Sequence, residues 1–366
     1  MRIVLTCPYA WDSPGGVQVH VRGLADGLAA RGHEPLILAP AAGAVNEPDV
    51  RAVGRPVRIP YGGKVAPICP SRSSWRRVRD TLRAFEPDVV HVHEPFSPST
   101  SMFATLSSTA PVVATFHAFH ARSRLLGAAA PVLRTIARRI DASIAVSEAA
   151  AEFVSPVVSS GIEIVPNGVD VDRFANATEP ALGLPSGRIV LWAGRLDPQK
   201  GFAIAVRAFG ELARRFEDLW LVVAGDGRDR HAVASLSPDA RRRVVMLGAV
   251  PNRELHRYHA AAEVYVAPAT GHESFGVALV EALAAGVPVV ATDIPGYREV
   301  IRGAVDGLLV PPGDAPALSE AVARVLEDPA LAERLSAAGR ERARTFSWDA
   351  VIPRIEEIYL RVAPSR

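Results

Sequence analysis

Two stretches in the second half of the chain hold residue types and spacings suited to group transfer. Gly194-Arg195-Leu196-Asp197-Pro198-Gln199-Lys200-Gly201 follows an apolar run, Ile189–Ala193, and leads into a segment of helical period. Arg195 and Lys200 therefore fall on a strand-end loop beside a helix N-terminus, where backbone N–H groups and the helix dipole favour an anion. Two cations so placed suit a diphosphate; the plain alternative is a solvated loop with two surface charges. Composition weighs against that alternative. Of 41 basic residues only Lys64 and Lys200 are lysine, and a surviving lysine marks a position that wants a compact ammonium rather than a planar fork.

The second stretch, Glu273-Ser274-Phe275-Gly276-Val277-Ala278-Leu279-Val280-Glu281, follows the apolar run Val264–Ala267. If Gly276 opens a helix, Glu273 precedes it in the loop and Glu281 lies a turn or more inside. The carboxylates then touch different parts of one extended ligand and do not form a close acid/base pair. In the first half, Pro14-Gly15-Gly16-Val17 separates the first strand from its helix, so a ligand can approach the backbone there. Neither a Gly-x-Gly-x-x-Gly fingerprint nor a Walker lysine follows that strand, which demotes hydride transfer and phosphate-loop ATP hydrolysis. His117 closes the strand Val112–Phe116, while His91, His93 and Glu94 cluster at another strand end. Spacing of two puts His91 and His93 on one face, a weak zinc signal. Asp170 and Asp172 follow the turn-forming Asn167-Gly168 and read as turn chemistry. No metal is assigned.

These groups need elements to hold them. The chain has 366 residues, 49% hydrophobic and 22% charged, enough for two to three domains at about 150 residues each. A net charge of +2 argues against a whole-molecule nucleic-acid footprint. Two cysteines, Cys7 and Cys69, exclude a disulfide framework and multi-cysteine zinc patterns. No apolar run approaches the roughly 18 residues of a membrane span, and Met1–Cys7 reads as a first strand, not a signal segment; a cytoplasmic protein is expected.

Strands are expected at Ile3–Thr6, Pro35–Ala39, Val89–Val92, Val112–Phe116, Ser143–Val146 and Glu163–Val165. The second half repeats the rhythm at Ile189–Ala193, Leu219–Ala224, Val244–Leu247, Val264–Ala267, Val287–Ala291 and Gly307–Val310. A helix over Gly16–Arg31 ends at Gly32. Strands alternating with helices predict an α/β chain of two doubly wound, Rossmann-like domains facing a central cleft. The expected boundaries are 1–168 and 188–347, with 169–187 as linker and a last helix at Trp348–Val362. Between Ser71 and Phe85, Trp75, Val78, Leu82 and Phe85 form one stripe, and Arg72, Arg76, Arg77, Arg79 and Arg83 cover much of the rest. That segment is either an ordinary amphipathic surface helix or one whose arginines meet anionic lipid.

Together these motifs resemble glycosyltransferase family 4, retaining enzymes of GT-B architecture. Arg195, Lys200, Glu273 and Glu281 match its donor signature, and Asn167-Gly168-Val169-Asp170 its linker. The first half is most similar to the branch that mannosylates inositol lipids, through Cys7-Pro8-Tyr9, Asp12, Pro14-Gly15-Gly16-Val17-Gln18, Ile59-Pro60-Tyr61, His91-Val92-His93-Glu94-Pro95 and Ala114-Thr115-Phe116-His117.

The resemblance implies transfer of mannose, with retention, from GDP-mannose to phosphatidyl-myo-inositol at the inner face of the plasma membrane, by a peripheral cytoplasmic protein without bound cofactor or metal. It implies an acceptor-binding first domain, a nucleotide-sugar-binding second domain, and a C-terminal helix at about 348–366 crossing back to the first. Catalytic roles fall to Arg195, Lys200, Glu273 and His117. Donor contacts come from Gly16, Arg195, Lys200, Glu273, Ser274, Phe275, Gly276, Glu281 and Val250, with Glu281 on the ribose. Tyr9, Asp12, Gln18, Tyr61, Gly62 and Arg122 would bind the acceptor, and Arg72, Trp75, Arg76, Arg77 and Arg79 the membrane.

The chain departs from that branch at Gly62, Ala118, Arg122, Asn252 and Leu255. Guanine's N1–H and amino donors want a carboxylate, and Asn252 offers one carbonyl. The base stays open between guanine and uracil, and the alternative is a UDP-sugar-dependent enzyme acting on inositol phosphate or another small or carrier-linked acceptor. Rivals of other classes are a non-catalytic sugar-nucleotide or lipid-binding protein and a nucleotide-sugar epimerase.

Overall fold

The computed structural model describes residues 1–13, 15–61, 64–118, 124–158, 161–177, 179–271 and 273–363, with side chains not described at 60–65 and 124–129. The chain divides into two units, one of Met1–Gly168 with the residues from Trp348 onward, the other of Val169–Ser347.

The first unit carries strands β1 (Arg2–Thr6), β2 (Glu34–Ala39), β3 (Val50–Ala52), β4 (Val57–Tyr61), β5 (Lys64–Ile68), β6 (Val89–His93), β7 (Val112–Phe116), β8 (Ala142–Ala145) and β9 (Ile162–Ile164). Seven form a parallel sheet ordered β3-β2-β1-β6-β7-β8-β9, and β4 and β5 pair as a separate antiparallel hairpin. The sequence reading had neither β3 nor the hairpin: β3 is a three-residue edge strand, and Pro60 breaks the β4 pattern. Parallel sheets are covered on both faces, and successive residues of one strand serve opposite layers. Ile3 and Leu5 join Val21, Leu24 and Leu28 of the helix Gly16–Ala30 and Ile355 and Ile358 of the helix Trp348–Val362. Val4 joins Val78 and Leu82 of the helix Arg72–Phe85 and Phe103 of the helix Thr100–Ser107. The last helix seats closely on the first, since a Cβ added at Gly27 would stand 1.9 Å from Ile352 Cδ1.

The second unit carries β10 (Arg188–Ala193), β11 (Leu219–Ala224), β12 (Val244–Gly248), β13 (Val264–Ala267), β14 (Val289–Thr292) and β15 (Leu308–Val310), all parallel in the order β12-β11-β10-β13-β14-β15. Its core sets Trp192, Val223 and Val266 against Phe202, Phe209 and Val322. In each sheet the strand order reverses once, at β1/β6 and at β10/β13, and ligands of doubly wound sheets collect outside the carboxyl ends at such points.

Residues 169–187, read as a linker, group with the second unit. They hold a helix, Val171–Ala175, capped by Asp170, whose side chain accepts the Arg173 N–H at 3.2 Å. The helix is held by Phe174, 1% exposed; a single buried aromatic in a five-residue element leaves no periodic trace in sequence.

Candidate active site

In the second unit the three loops leaving β10, β13 and β14 touch. Asp197 caps the short 3-10 turn Pro198–Lys200 by accepting the Lys200 N–H at 3.0 Å, and also pairs with Arg195 at 3.3 Å. The Asp-Pro pair at cap and first turn is the sequence signal that marks Asp197. Gly201, at φ 71, begins the helix Phe202–Arg215, and any Cβ there would overlap the Pro268 carbonyl at 1.8 Å. Thr270 closes the join, donating its N–H to Gln199 O at 2.9 Å. Gly296 lies under Glu273, whose carbonyl would be 2.1 Å from an added Cβ. These contacts bring Lys200 Nζ to 2.9 Å from Glu273 Oε1. One of the three ammonium donors meets that carboxylate, and the other two suit an anion. Tyr297 is buried beside Glu273, and burial, reinforced by that carboxylate, pushes its phenol up.

Glu281 lies in the helix Val277–Ala284 and is 5% exposed. Burial raises its carboxyl to about 7, against the pull of the Arg173 guanidinium and the Asn252 amide. Arg173 Nη2 donates to Asn252 Oδ1 at 3.0 Å, and Asn252 Nδ2 points to Glu281 Oε1 at 3.4 Å. The Asn252 carbonyl, which the sequence reading set against guanine, is thus taken up by an arginine of the supposed linker. Phe275, expected among the donor contacts, has its ring buried edge-on to Phe346, with centroids 5.3 Å apart. Ser274, Gly276 and Val250 lie in the strand-end loops, Gly276 at φ 99 as the cap of the Glu281 helix.

In the first unit, four histidines among the described residues cluster at the carboxyl ends of the central strands. His91 and His93 stack with centroids 4.5 Å apart, on one face of β6 as the spacing of two requires. His93 Nδ1 and His117 Nε2 share a hydrogen bond of 2.9 Å. His20, on the helix Gly16–Ala30, packs edge-on against both His93 and His117. Burial holds His91 down at about 3 and His117 at about 4, with Asn167 opposing the shift at His117. His20 and His93 are also held well below the usual range by burial, then by their neighbours' charge. His20, His93 and His117 offer ligand atoms within 4.8 Å of one another. A metal there would have to replace the His93–His117 hydrogen bond. Glu94, at φ 55, accepts the His117 and Ala118 N–H groups at 2.5 and 2.7 Å and so fixes the turn that carries the imidazole. His20 and Asn167 reach this cluster only through the fold, and nothing in their local sequence announces it.

The other expected acceptor contacts divide. Gln18, 9% exposed, spends its amide on Ala10 O and Ser13 O at 2.9 and 3.0 Å. Asp12 accepts the Ala42 and Gly43 N–H groups at 2.9 and 3.0 Å. Both side chains brace the loop after β1. Tyr9 lies on that loop, bridged to Ile68, and Gly16 opens its helix with open space beside its Cα. Gly62 and Arg122 lie outside the described residues, and Tyr61 is described in its backbone alone.

On the helix Arg72–Phe85, capped by Ser71, Arg72, Arg76 and Arg77 are exposed and Arg79 pairs with Asp80 at 2.9 Å. Trp75 is 43% exposed, stacks on Phe103 and donates Nε1–H to Ser107 Oγ at 2.8 Å. Among the described residues no helix is long and apolar enough to cross a membrane.

Residues 14–173 match the model of Glycosyltransferase Family 4, and residues 177–342 that of Glycosyl transferases group 1. Over 368 residues the chain is 40% identical to a Mycobacterium leprae protein named phosphatidyl-myo-inositol mannosyltransferase, covering 100% of this chain and 98% of that one. A protein of the same name from Mycolicibacterium smegmatis is 39% identical, with 99% and 94% covered. Among solved structures, Anabaena HepE in complex with UDP superposes with a TM-score of 0.79 at 21% identity, over 99% of this chain and 100% of that one. At that identity the likeness concerns the fold, which is GT-B.

Proposed function

The chain belongs to the same glycosyltransferase family as the phosphatidyl-myo-inositol mannosyltransferases, and from that premise we propose that it transfers mannose, with retention, from GDP-mannose to phosphatidyl-myo-inositol at a membrane surface. The observation that carries the reading is the Lys200–Glu273 pair at the carboxyl edge where the second sheet reverses its strand order. The ammonium of Lys200 and the guanidinium of Arg195 bind the donor's diphosphate and stabilise the charge that grows there as the glycosyl bond breaks. Glu273 takes the sugar hydroxyls and Glu281 those of the ribose.

On the acceptor side, His117, set by Glu94 and His93, orients the transferred sugar. Tyr9 and the loop braced by Asp12 and Gln18 bound the inositol site. The inositol hydroxyl bonds to the anomeric carbon on the face the diphosphate leaves, and its proton passes to the departing phosphate oxygen. Nucleoside diphosphate and mannosylated lipid are the products, and no carboxylate pair is needed. The arginines of the helix Arg72–Phe85 supply attraction to anionic lipid.

A second reading, a UDP-sugar donor, draws support from the Asn252 carbonyl being bonded to Arg173 and so not turned to guanine. Radiolabelled GDP-mannose, UDP-glucose and UDP-N-acetylglucosamine, each with and without inositol lipid, separate the two. Mannolipid formed from GDP-mannose alone supports the first; turnover of a uracil donor alone selects the second. Inertness of wild type and Lys200→Ala alike toward all three overturns both.

A further inference from the structure

We infer that Arg173 is a positioning residue of the donor site, acting through the Asn252 amide to hold the Glu281 carboxylate ready to accept the ribose hydroxyls. The inference rests on the donor reading above and adds to it a residue that the sequence assigns to a linker.

The helix that carries Arg173 is fixed first. Asp170 caps it, and the Phe174 ring meets His259 edge-on at 5.3 Å and His256 at 6.5 Å. The guanidinium lies over the Phe174 ring at 4.9 Å, with Asp170 3.8 Å from its Nε. From there Nη2 donates to Asn252 Oδ1 at 3.0 Å. Guanidinium is a donor without acceptor capacity, so this contact decides which end of the amide is which. The oxygen faces Arg173 and the N–H faces Glu281 Oε1 at 3.4 Å. Were the amide reversed, its oxygen would oppose a buried carboxylate and drive it to protonate or turn away. As arranged, Oε1 is engaged, and among the described residues no bond takes up Oε2, which is left for hydroxyl donors. Among the described residues the other titratable group facing Glu281 is Tyr265, whose hydroxyl is committed to Ala193 O at 3.2 Å. A site built to bond hydroxyls discriminates strongly against a ligand that lacks them, so the effect of Arg173 belongs to the ribose.

The test titrates the full chain calorimetrically with GDP, UDP and their 2′,3′-dideoxy counterparts. In wild type, removing the ribose hydroxyls weakens the preferred nucleotide about 10- to 100-fold, as the loss of hydrogen bonds to a charged group does. In Arg173→Ala the intact nucleotide weakens about as much and the dideoxy compound by less than twofold, so the preference collapses. Asn252→Ala does the same, and the double variant loses nothing further, as two links of one chain should. Arg173→Lys restores part of the preference, having the charge without the fork. Equal weakening of both ligands in Arg173→Ala, or an unchanged preference, overturns the inference. Glu281→Gln separates the two levels. If it abolishes the preference while Arg173→Ala does not, only the role of Arg173 falls. If neither wild type nor Glu281→Gln distinguishes the ligands, the assignment of Glu281 to the ribose fails and takes the inference with it.

Discussion

The hydroxyl of Tyr359 and Nδ1 of His91 lie 2.6 Å apart, joining the C-terminal helix to the middle of the first sheet across 268 residues of sequence. His91 is satisfied at its other nitrogen by Thr115 Oγ1 at 2.7 Å, so both ring positions of a fully buried imidazole are bonded. Tyr359→Phe strips one of them. A buried polar atom left unbonded costs about 1–3 kcal/mol, and urea unfolding should show a loss of that size, with the midpoint lowered and the slope unchanged. A midpoint equal to wild type would show the bond to be worth nothing.

Lys200→Ala should lower turnover by about 10²–10³, the range found when one preorganised charge-stabilising group is removed. Lys200→Arg should recover only part, because a planar fork does not reproduce the point contact with Glu273. Single-turnover rates at saturating donor read the effect. A drop confined to donor affinity, with the rate intact, would assign Lys200 to binding alone.

With its carboxyl raised to about 7, Glu281 is ionised above neutrality and takes up a proton below it. Donor KM should therefore rise as the pH is lowered from 8 to 6, and Glu281→Gln should flatten that profile. The sign for stability is opposite. A carboxyl whose native pKa lies above the ordinary 4.5 binds its proton more readily when folded, so its contribution is greatest below 4.5 and declines as pH rises to about 7. A KM independent of pH in wild type would remove Glu281 from the donor site.

The buried histidines act the other way. His91 and His117 are depressed to about 3 and about 4, and His20 and His93 lie well below the usual 6.5. Their share of stability is complete above 6.5 and is lost as pH falls through the native values, because the unfolded chain binds those protons first. Urea midpoints should decline steeply between pH 6.5 and 4, with uptake of more than one proton on unfolding. Proton uptake of less than one would contradict neutral burial of the cluster.

Replacing Arg72, Arg76 and Arg77 together by serine should weaken sedimentation with anionic vesicles several-fold. Raising salt should weaken the wild type in the same way, because exposed charges are screened. Vesicle binding that ignores both changes would move membrane contact to another surface.

The elements that place the site were largely legible because each strand is a compact apolar run. Val112–Phe116 and Val264–Ala267 coincide with the strands observed, and Ile189–Ala193 differs from Arg188–Ala193 by one residue. Lys200 stood out because arginine fills almost every other basic position. What could not be read depends on contacts distant in sequence. Arg173 meets Asn252 across 79 residues, and His93 meets His117 across 24. Gln18 and Asp12 have the residue types of ligand-binding side chains, and their hydrogen bonds that involve the loop after β1 show in the structure alone.

The return of the last helix to the first unit has a consequence for synthesis. Ribosomes release the N-terminal part first, and domains ordinarily fold in that order. Here Val21, Leu24 and Leu28 share a core with Ile355 and Ile358, so their side of the sheet is only part-covered until the helix Trp348–Val362 has emerged. The second unit, Val169–Ser347, is whole before the first, and a nascent chain stalled before Trp348 carries a first unit with part of its apolar flank still open to chaperones.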